Sequence, residues 1–509
     1  MTRYSAGLAL LLAAALPCVA AKHAPNKYAP NKRAPVKQAM PPAAVLDITA
    51  APYNAKGDGV SDNTAAINQA LADAAAAAPK KSVYAPAGTF AHSGVLRDGG
   101  VLFFGAGAGT VFQATNPAEG AVVLSGAGGA VRSCTLVSPA AKDRLSTSHS
   151  AAISVNGATG FAISNVNIGV GGVKGAASAG ILCADKPSSH GTITRNGVSN
   201  TLADGIHLTA GAQDMVVSGN TLANVGDDMI AVVSYLKDGA EVTHVKITGN
   251  HGVSQTNGRG ISVVGGDDVT IDLNTIDSSD VAGIYIASED SYNTYGPSNV
   301  QVTGNTIRSA NQKHAVTHGG IYVFGRVAAV GGARAAYLAK NITISGNTLL
   351  HTYYMGIRIG GHAETIRITG NRIVGTTAEG IAVSDTGDRS EGAGARDVVV
   401  SGNTIESTAW GAIKVFPGAQ GALTIADNRL ADIGTSDNSG VDAISIDPGA
   451  SAVRPLRLSG NRYDGSAPHS VRDYINCGIS AAAADASAAA IGSSNAMTTA
   501  PRKPIVVMP

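Results

Sequence analysis

The chain has 509 residues and a net charge of +1; only 14% of its residues are charged and 4% aromatic, and 63 are glycine. So few aromatics leave little for a conventional globular core, and thin layers of small stacked side chains suit the composition better. The balanced charge gives no whole-molecule basis for nucleic-acid binding.

The first element reads as an address. Arg3 supplies a positive start, Leu8 to Leu16 an apolar stretch, and Val19-Ala20-Ala21 a small-residue cleavage site. Residues 1–21 are therefore expected to be a signal peptide, and the mature chain secreted or periplasmic. The apolar run is too short to span a bilayer, and no later segment is long enough. Cys18 follows Leu16-Pro17, a poor match to a lipoprotein signal, and the remaining Cys134, Cys183 and Cys477 are too few and odd in number for a disulfide framework. Residues 22–44 repeat Ala-Pro-Asn-Lys and relatives, a basic proline-rich linker held extended and solvated.

Tyr53 to Ile67 follow. Asp62 or Asn63 can cap a helix from Ala65 to about Ala77 with Ile67 and Leu71 on its apolar face. Such a helix covers the open edge of a first coil. Gly105, Gly107 and Gly109 form a glycine-rich loop with no helix or βαβ unit after it, so it reads as a coil corner and not a nucleotide site.

From about residue 150 the sequence repeats. Strands with alternating apolar residues end in Gly-Asn-Thr-Ile or a variant, placing asparagines at 196, 220, 250, 274, 305, 347, 371, 403, 428 and 461, mostly about 24 or about 31 residues apart. A second ladder, Gly-Ile-x-Val, recurs from Gly205-Ile206 to Gly380-Ile381. A period this short cannot bury its own core but makes one three-strand coil, so the expected fold is all-β, a right-handed parallel β-helix of about ten or more coils over residues 45–465. The longer coils carry extra residues that would build walls beside a groove. The Ala/Ser-rich tail, residues 466–509, loses the pattern and is expected to be irregular.

The repeat sorts the acidic residues. Just before the glycine of Gly-Ile-x-Val stand Asp204, Asp228 and Arg259 in successive coils, with Asp227 beside Asp228. Coils about 4.8 Å apart stack these residues, and carboxylates that close raise the pKa of at least one. A general acid beside an ionised partner is the arrangement for glycoside hydrolysis. Asp267-Asp268 instead aligns with Asp214, Asn299, Asn341, Glu364 and Asp397 at a turn position and reads as structural. The outward x position carries His207, Tyr285, Tyr322, Arg358 and Lys414, candidates for stacking on or pairing with sugars. Trp410, the single tryptophan, is a sugar platform or a bulky filler.

Residues 53–67 resemble the N-terminal motif of the pectate-lyase superfamily, and Asn200 to Ser262 resembles the polygalacturonase family of glycoside hydrolases. That family's Asn-Thr-Asp-Gly motif is answered by Ala203-Asp204-Gly205-Ile206. Its Gly-Asp-Asp segment is answered by Gly226-Asp227-Asp228, and its Gly-His-Gly motif by Gly258-Arg259-Gly260. The resemblance implies an inverting hydrolase in which Asp227 is the general acid and Asp204 with Asp228 hold the attacking water. Arg259 replaces the family histidine, and the family's Arg-Ile-Lys clamp falls at Tyr285-Ile286-Ala287, which argues for a sugar other than galacturonate. Arg259 over stacked aspartates also resembles calcium-dependent pectate lyases, and oxygen-only ligands suit Ca²⁺. No His or Cys cluster has zinc spacing. The expected partner is an acidic polysaccharide, the chain a monomer, and the hydrolase needs no cofactor. A lyase or C5-epimerase using Arg259, with Ca²⁺ in the lyase, and a non-catalytic glycan-binding surface protein stay open as alternatives.

Overall fold

A computed structural model describes residues 45–464 apart from 172–173, 254–256, 315, 331–332, 385–393, 437–440, 448–449 and 451, together with 475–477, 496–497 and 505–507. The signal-peptide and linker expectations lie outside the described residues.

Three parallel sheets of 15, 16 and 16 strands run the length of this unit, each taking one strand per coil in chain order. This is the expected right-handed parallel β-helix. A representative coil places Gln213–Ser218 in the first sheet, turns at Gly219-Asn220, places Thr221–Ala223 in the second sheet, and crosses a loop to Ile230–Val233 in the third. Inward residues stack on their own kind: Ile206, Ile230, Ile261, Ile284 and Ile321 are consecutive rungs, each at most 2% exposed. Each such isoleucine contributes about 1.5–3 kcal/mol by leaving water, and none can do so without the coils above and below.

The turn asparagines form a second spine. All ten predicted asparagines are buried, and from Asn196 to Asn461 each side-chain amide donates to the next carboxamide oxygen at 2.9–3.0 Å. Helix α1 spans Thr64–Ala76 and buries Ile67, Ala70, Leu71 and Ala74. Its cap divides two jobs: Asp62 Oδ1 accepts from the Thr64 backbone N–H at 2.9 Å, while buried Asn63 binds Lys56, Ser61 and Ala91 and so fixes the preceding loop.

Two local expectations change. In the turn column of Asp214 and Asp268, Thr365 takes the place expected of Glu364, because Lys340 pairs with Glu364 and Ile342 with Ile366. Within residues 466–509, Ile475–Cys477 pairs in parallel with Ile444–Ile446, Ala496–Met497 with Arg462–Tyr463, and Ile505–Val507 with Ile475–Cys477, so the sheets run on into that segment. Cys134 and Cys183 are free and buried. Among the described residues no helix is long and apolar enough to cross a membrane.

Candidate active site

The register stacks Asp204 on Asp228 and Asp228 on Arg259, as their positions before the ladder glycines require. Each carboxylate is bound by the coil that follows. Asp204 Oδ1 accepts from the Asp228 backbone N–H at 3.0 Å, and Asp228 Oδ1 from the Arg259 backbone N–H at 2.7 Å. The ladder glycine makes this approach possible, since a Cβ on Gly205 would come within 2.6 Å of the Met229 carbonyl oxygen. Gly258 has φ +73°, and a Cβ there would lie 2.7 Å from carboxylate oxygens of both Asp227 and Asp228. One oxygen from each of Asp204, Asp227 and Asp228 lies within 4.8 Å of the others.

These three side chains, with His207 and Arg259, line a pocket of about 270 Å³. His207 Nδ1 donates to Asp204 Oδ2 at 2.8 Å. The Ser262 hydroxyl donates to Asp228 Oδ2. The Arg259 guanidinium lies 3.5 Å from Asp228, pairs with Glu289, and sits 4.5 Å over the Tyr285 ring. Asp227 opens furthest to the pocket, its side chain 25% exposed against 5% for Asp204.

Four lining residues with polar side chains were not singled out in the sequence: Arg144, Tyr235, Glu289 and Tyr292. Arg144 pairs with Asp227 and lies 3.8 Å from Asp204. It comes from a non-repeating stretch with no register to place it. The other three come from the long coils, whose extra residues do form walls. The Leu236 backbone N–H donates to Asn293 at 2.8 Å and that of Tyr295 to Ser234 at 3.0 Å, tying two neighbouring loops together.

Burial and charge divide the carboxylates. Burial is the main force raising Asp228, aided by Asp204 and Asp227 against the pull of Arg259, and its carboxyl stands at about 6. Burial works upward on Asp204 too, but the charge and hydrogen bond of His207, with Arg144, outweigh it and hold Asp204 below its ordinary value. Burial works downward on His207, and the neighbouring Asp204 charge overcomes it, so the imidazole is raised. A low carboxyl beside a high one pairs a base with an acid in one pocket.

The expected sugar-contacting ladder is different in kind. Tyr285, Tyr322 and Arg358 are 5%, 6% and 4% exposed. Bulky residues on consecutive rungs cover one another: the tyrosine rings are 5.6 Å apart, His318 stacks 5.2 Å from Tyr285, and Arg358 lies 4.7 Å over Tyr322. Of the five x-position candidates, only His207 lines the pocket. Lys414 lies seven rungs from His207, roughly 34 Å away at the spacing of strands, and over Phe416. Trp410 is 42% exposed.

Residues 48–285 match the family model described as rhamnogalacturonase A/epimerase, pectate lyase-like, and residues 233–391 match that of the right handed beta helix region. The pectate-lyase-like resemblance of the sequence is thus borne out. No curated protein matches the chain. Among solved structures, the catalytic unit of a thermostable GH87 alpha-1,3-glucanase from Streptomyces thermodiastaticus is 18% identical, with 83% of this chain and 69% of that chain covered and a TM-score of 0.50. The catalytic domain of a GH87 alpha-1,3-glucanase bound to nigerose is 19% identical, with coverages of 78% and 67% and a TM-score of 0.55. Complexes of such a GH87 catalytic domain carry single alanine replacements at three aspartates, an adjacent pair following the first by 23 and 24 residues. The A-module of a mannuronan C-5 epimerase from Azotobacter vinelandii is 15% identical, covering 91% of this chain and all of that one, with a TM-score of 0.48.

Proposed function

We propose that this carbohydrate-active β-helix protein is an exported glycoside hydrolase that cuts a polysaccharide with Asp204, Asp227 and Asp228. The observation that carries this reading is the convergence of three carboxylates from adjacent coils in one pocket, one held low and one raised to about 6. Asp227 and Asp228 follow Asp204 by 23 and 24 residues, the spacing of the three aspartates replaced in the GH87 catalytic domain, which supports the same assignment.

Asp228, its carboxyl raised to about 6, holds the proton, and Asp227, the most open of the three, relays it to the leaving oxygen. Asp204 and Asp228 hold the water whose oxygen bonds to the anomeric carbon as the glycosidic C–O bond breaks, and Asp204 takes the water's proton. The expected product is the inverted anomer. The closest oxygens of the cluster, within 4.8 Å, are nearer one another than the roughly 6.5–9.5 Å carboxyl spacing of the usual inverting pair, so the water sits beside the carboxyls and not between two opposed ones.

Both pocket arginines are already committed to carboxylates, Arg144 to Asp227 and Arg259 to Asp228 and Glu289. This favours a hydroxyl-rich, uncharged sugar at the point of cleavage over the uronate of an acidic polymer. The same pairing weighs against the calcium lyase. Arg144 supplies the countercharge a cation would bring. Arg259 is poorly placed to act as a base: burial opposes its charge, but Asp228 and Glu289 more than compensate and push its pKa up. Reducing ends released from alpha-1,3-glucan, rhamnogalacturonan and homogalacturonan, with product anomers read by NMR, test the proposal. Release abolished by Asp227→Asn in a folded protein supports it, and full activity of that variant overturns the assignment.

A further inference from the structure

The pocket over the carboxylates continues past them. Toward the N-terminal coils it opens into a second cavity of about 330 Å³, which shares Arg144, Asp204, His207 and Tyr235 with the first. Leu182 lines this extension, one rung from His207 in the outward ladder, and is half-buried. A leucine pointing out of the sheet at this rung offers an apolar patch to the face of a sugar ring. The rim is polar: Asp185 accepts hydrogen bonds from Ser148 at 2.6 Å and Asn156 at 3.2 Å, and Lys237 lies 4.9 Å over the Tyr235 ring.

Toward the C-terminal coils the same ladder is closed. Past Ala231 and Ser262, its outward side chains Tyr285 and Tyr322 are 5% and 6% exposed, and Glu289 ties its loop to Arg259 across this end of the pocket. A glycan threading through in both directions would need these buried rungs as further subsites.

We infer that the polysaccharide lies on one side of the cleavage point, extending from Asp227 over Leu182 toward the N-terminal coils, so that the enzyme trims short pieces from a chain end. This rests on the hydrolase reading and deepens it: Leu182 sets affinity for the longer part of the substrate without touching the reacting atoms.

The test follows product sizes from the start of digestion, together with solution viscosity, for the wild type, Leu182→Trp and Leu182→Ala. The expected result is short oligosaccharides from the outset with viscosity nearly unchanged. Both variants should raise KM by about ten-fold at little cost in kcat. Long fragments and an early fall in viscosity, or an unchanged KM in both variants, would overturn the inference. If the wild type releases no reducing ends from any glycan, the hydrolase reading fails separately. Calorimetric titration of alpha-1,3-glucan and rhamnogalacturonan oligosaccharides then decides the cleft: binding weakened by Leu182→Trp supports it, and equal or absent binding rejects it.

Discussion

Replacing Asp228 by asparagine should stabilise the protein at high pH while removing its activity. The carboxyl is buried, hydrogen-bonded by Ser262, and raised from 3.8 to about 6, chiefly by burial. A group whose folded pKa lies above its unfolded one contributes stability that is fully present below the unfolded value and is lost as pH rises through the folded one. The window here runs from 3.8 to about 6. A shift of roughly two units at 1.36 kcal/mol per unit makes the loss about 3 kcal/mol above the window. Asparagine keeps the acceptor for the Arg259 N–H and carries no charge, and Arg259 retains Glu289. Urea unfolding followed by circular dichroism at pH 4 and pH 8 measures the effect. Relative to wild type, Asp228→Asn should gain about 3 kcal/mol more at pH 8 than at pH 4. A stability difference independent of pH, or one that moves the other way, refutes the assignment of the buried charge.

Asp227→Asn should lower turnover by about 10²–10⁴-fold with the melting curve unchanged, whereas Asp267→Asn should leave activity near wild type. The Asp267 carboxylate accepts from Ser298 and Asn299 near the start of its strand and does not line the pocket, and a large activity loss there would contradict the register argument. Asn347→Ala should cost on the order of 4 kcal/mol in urea unfolding, because it removes the buried oxygen that accepts from both the backbone N–H and the side-chain amide of Asn305, and the amide that donates to the Val302 carbonyl. The pH profile of kcat/KM should fall as pH rises through about 6, where Asp228 loses its proton; a profile flat across that range would remove the cluster from the mechanism.

The fold was legible because each coil repeats two constraints the chain cannot evade. A residue in the left-handed region precedes each asparagine that closes the turn, a glycine at seven of the ten, as at Gly304 before Asn305, and Arg195, Leu273 or Asp427 at the others, and an inward isoleucine sits beside its copy one coil away. The same register placed Asp204, Asp228 and Arg259 in one stack. Arg144 was not legible, since its position depends on how a loop outside the repeat folds back over later coils. Nor was the burial of Tyr285, Tyr322 and Arg358. Alternation says only that these residues leave the core, and their mutual stacking covers them on the outside.

The central claim is hydrolysis by the aspartate cluster. It is tested most directly by incubating the protein with alpha-1,3-glucan, rhamnogalacturonan, homogalacturonan and mannuronan, with and without EDTA, and reading both reducing ends and the ultraviolet absorbance of unsaturated products. Reducing ends without absorbance, unaffected by EDTA and lost in Asp227→Asn, are the predicted result. Absorbance that EDTA abolishes would contradict it and assign the pocket to a metal-dependent lyase.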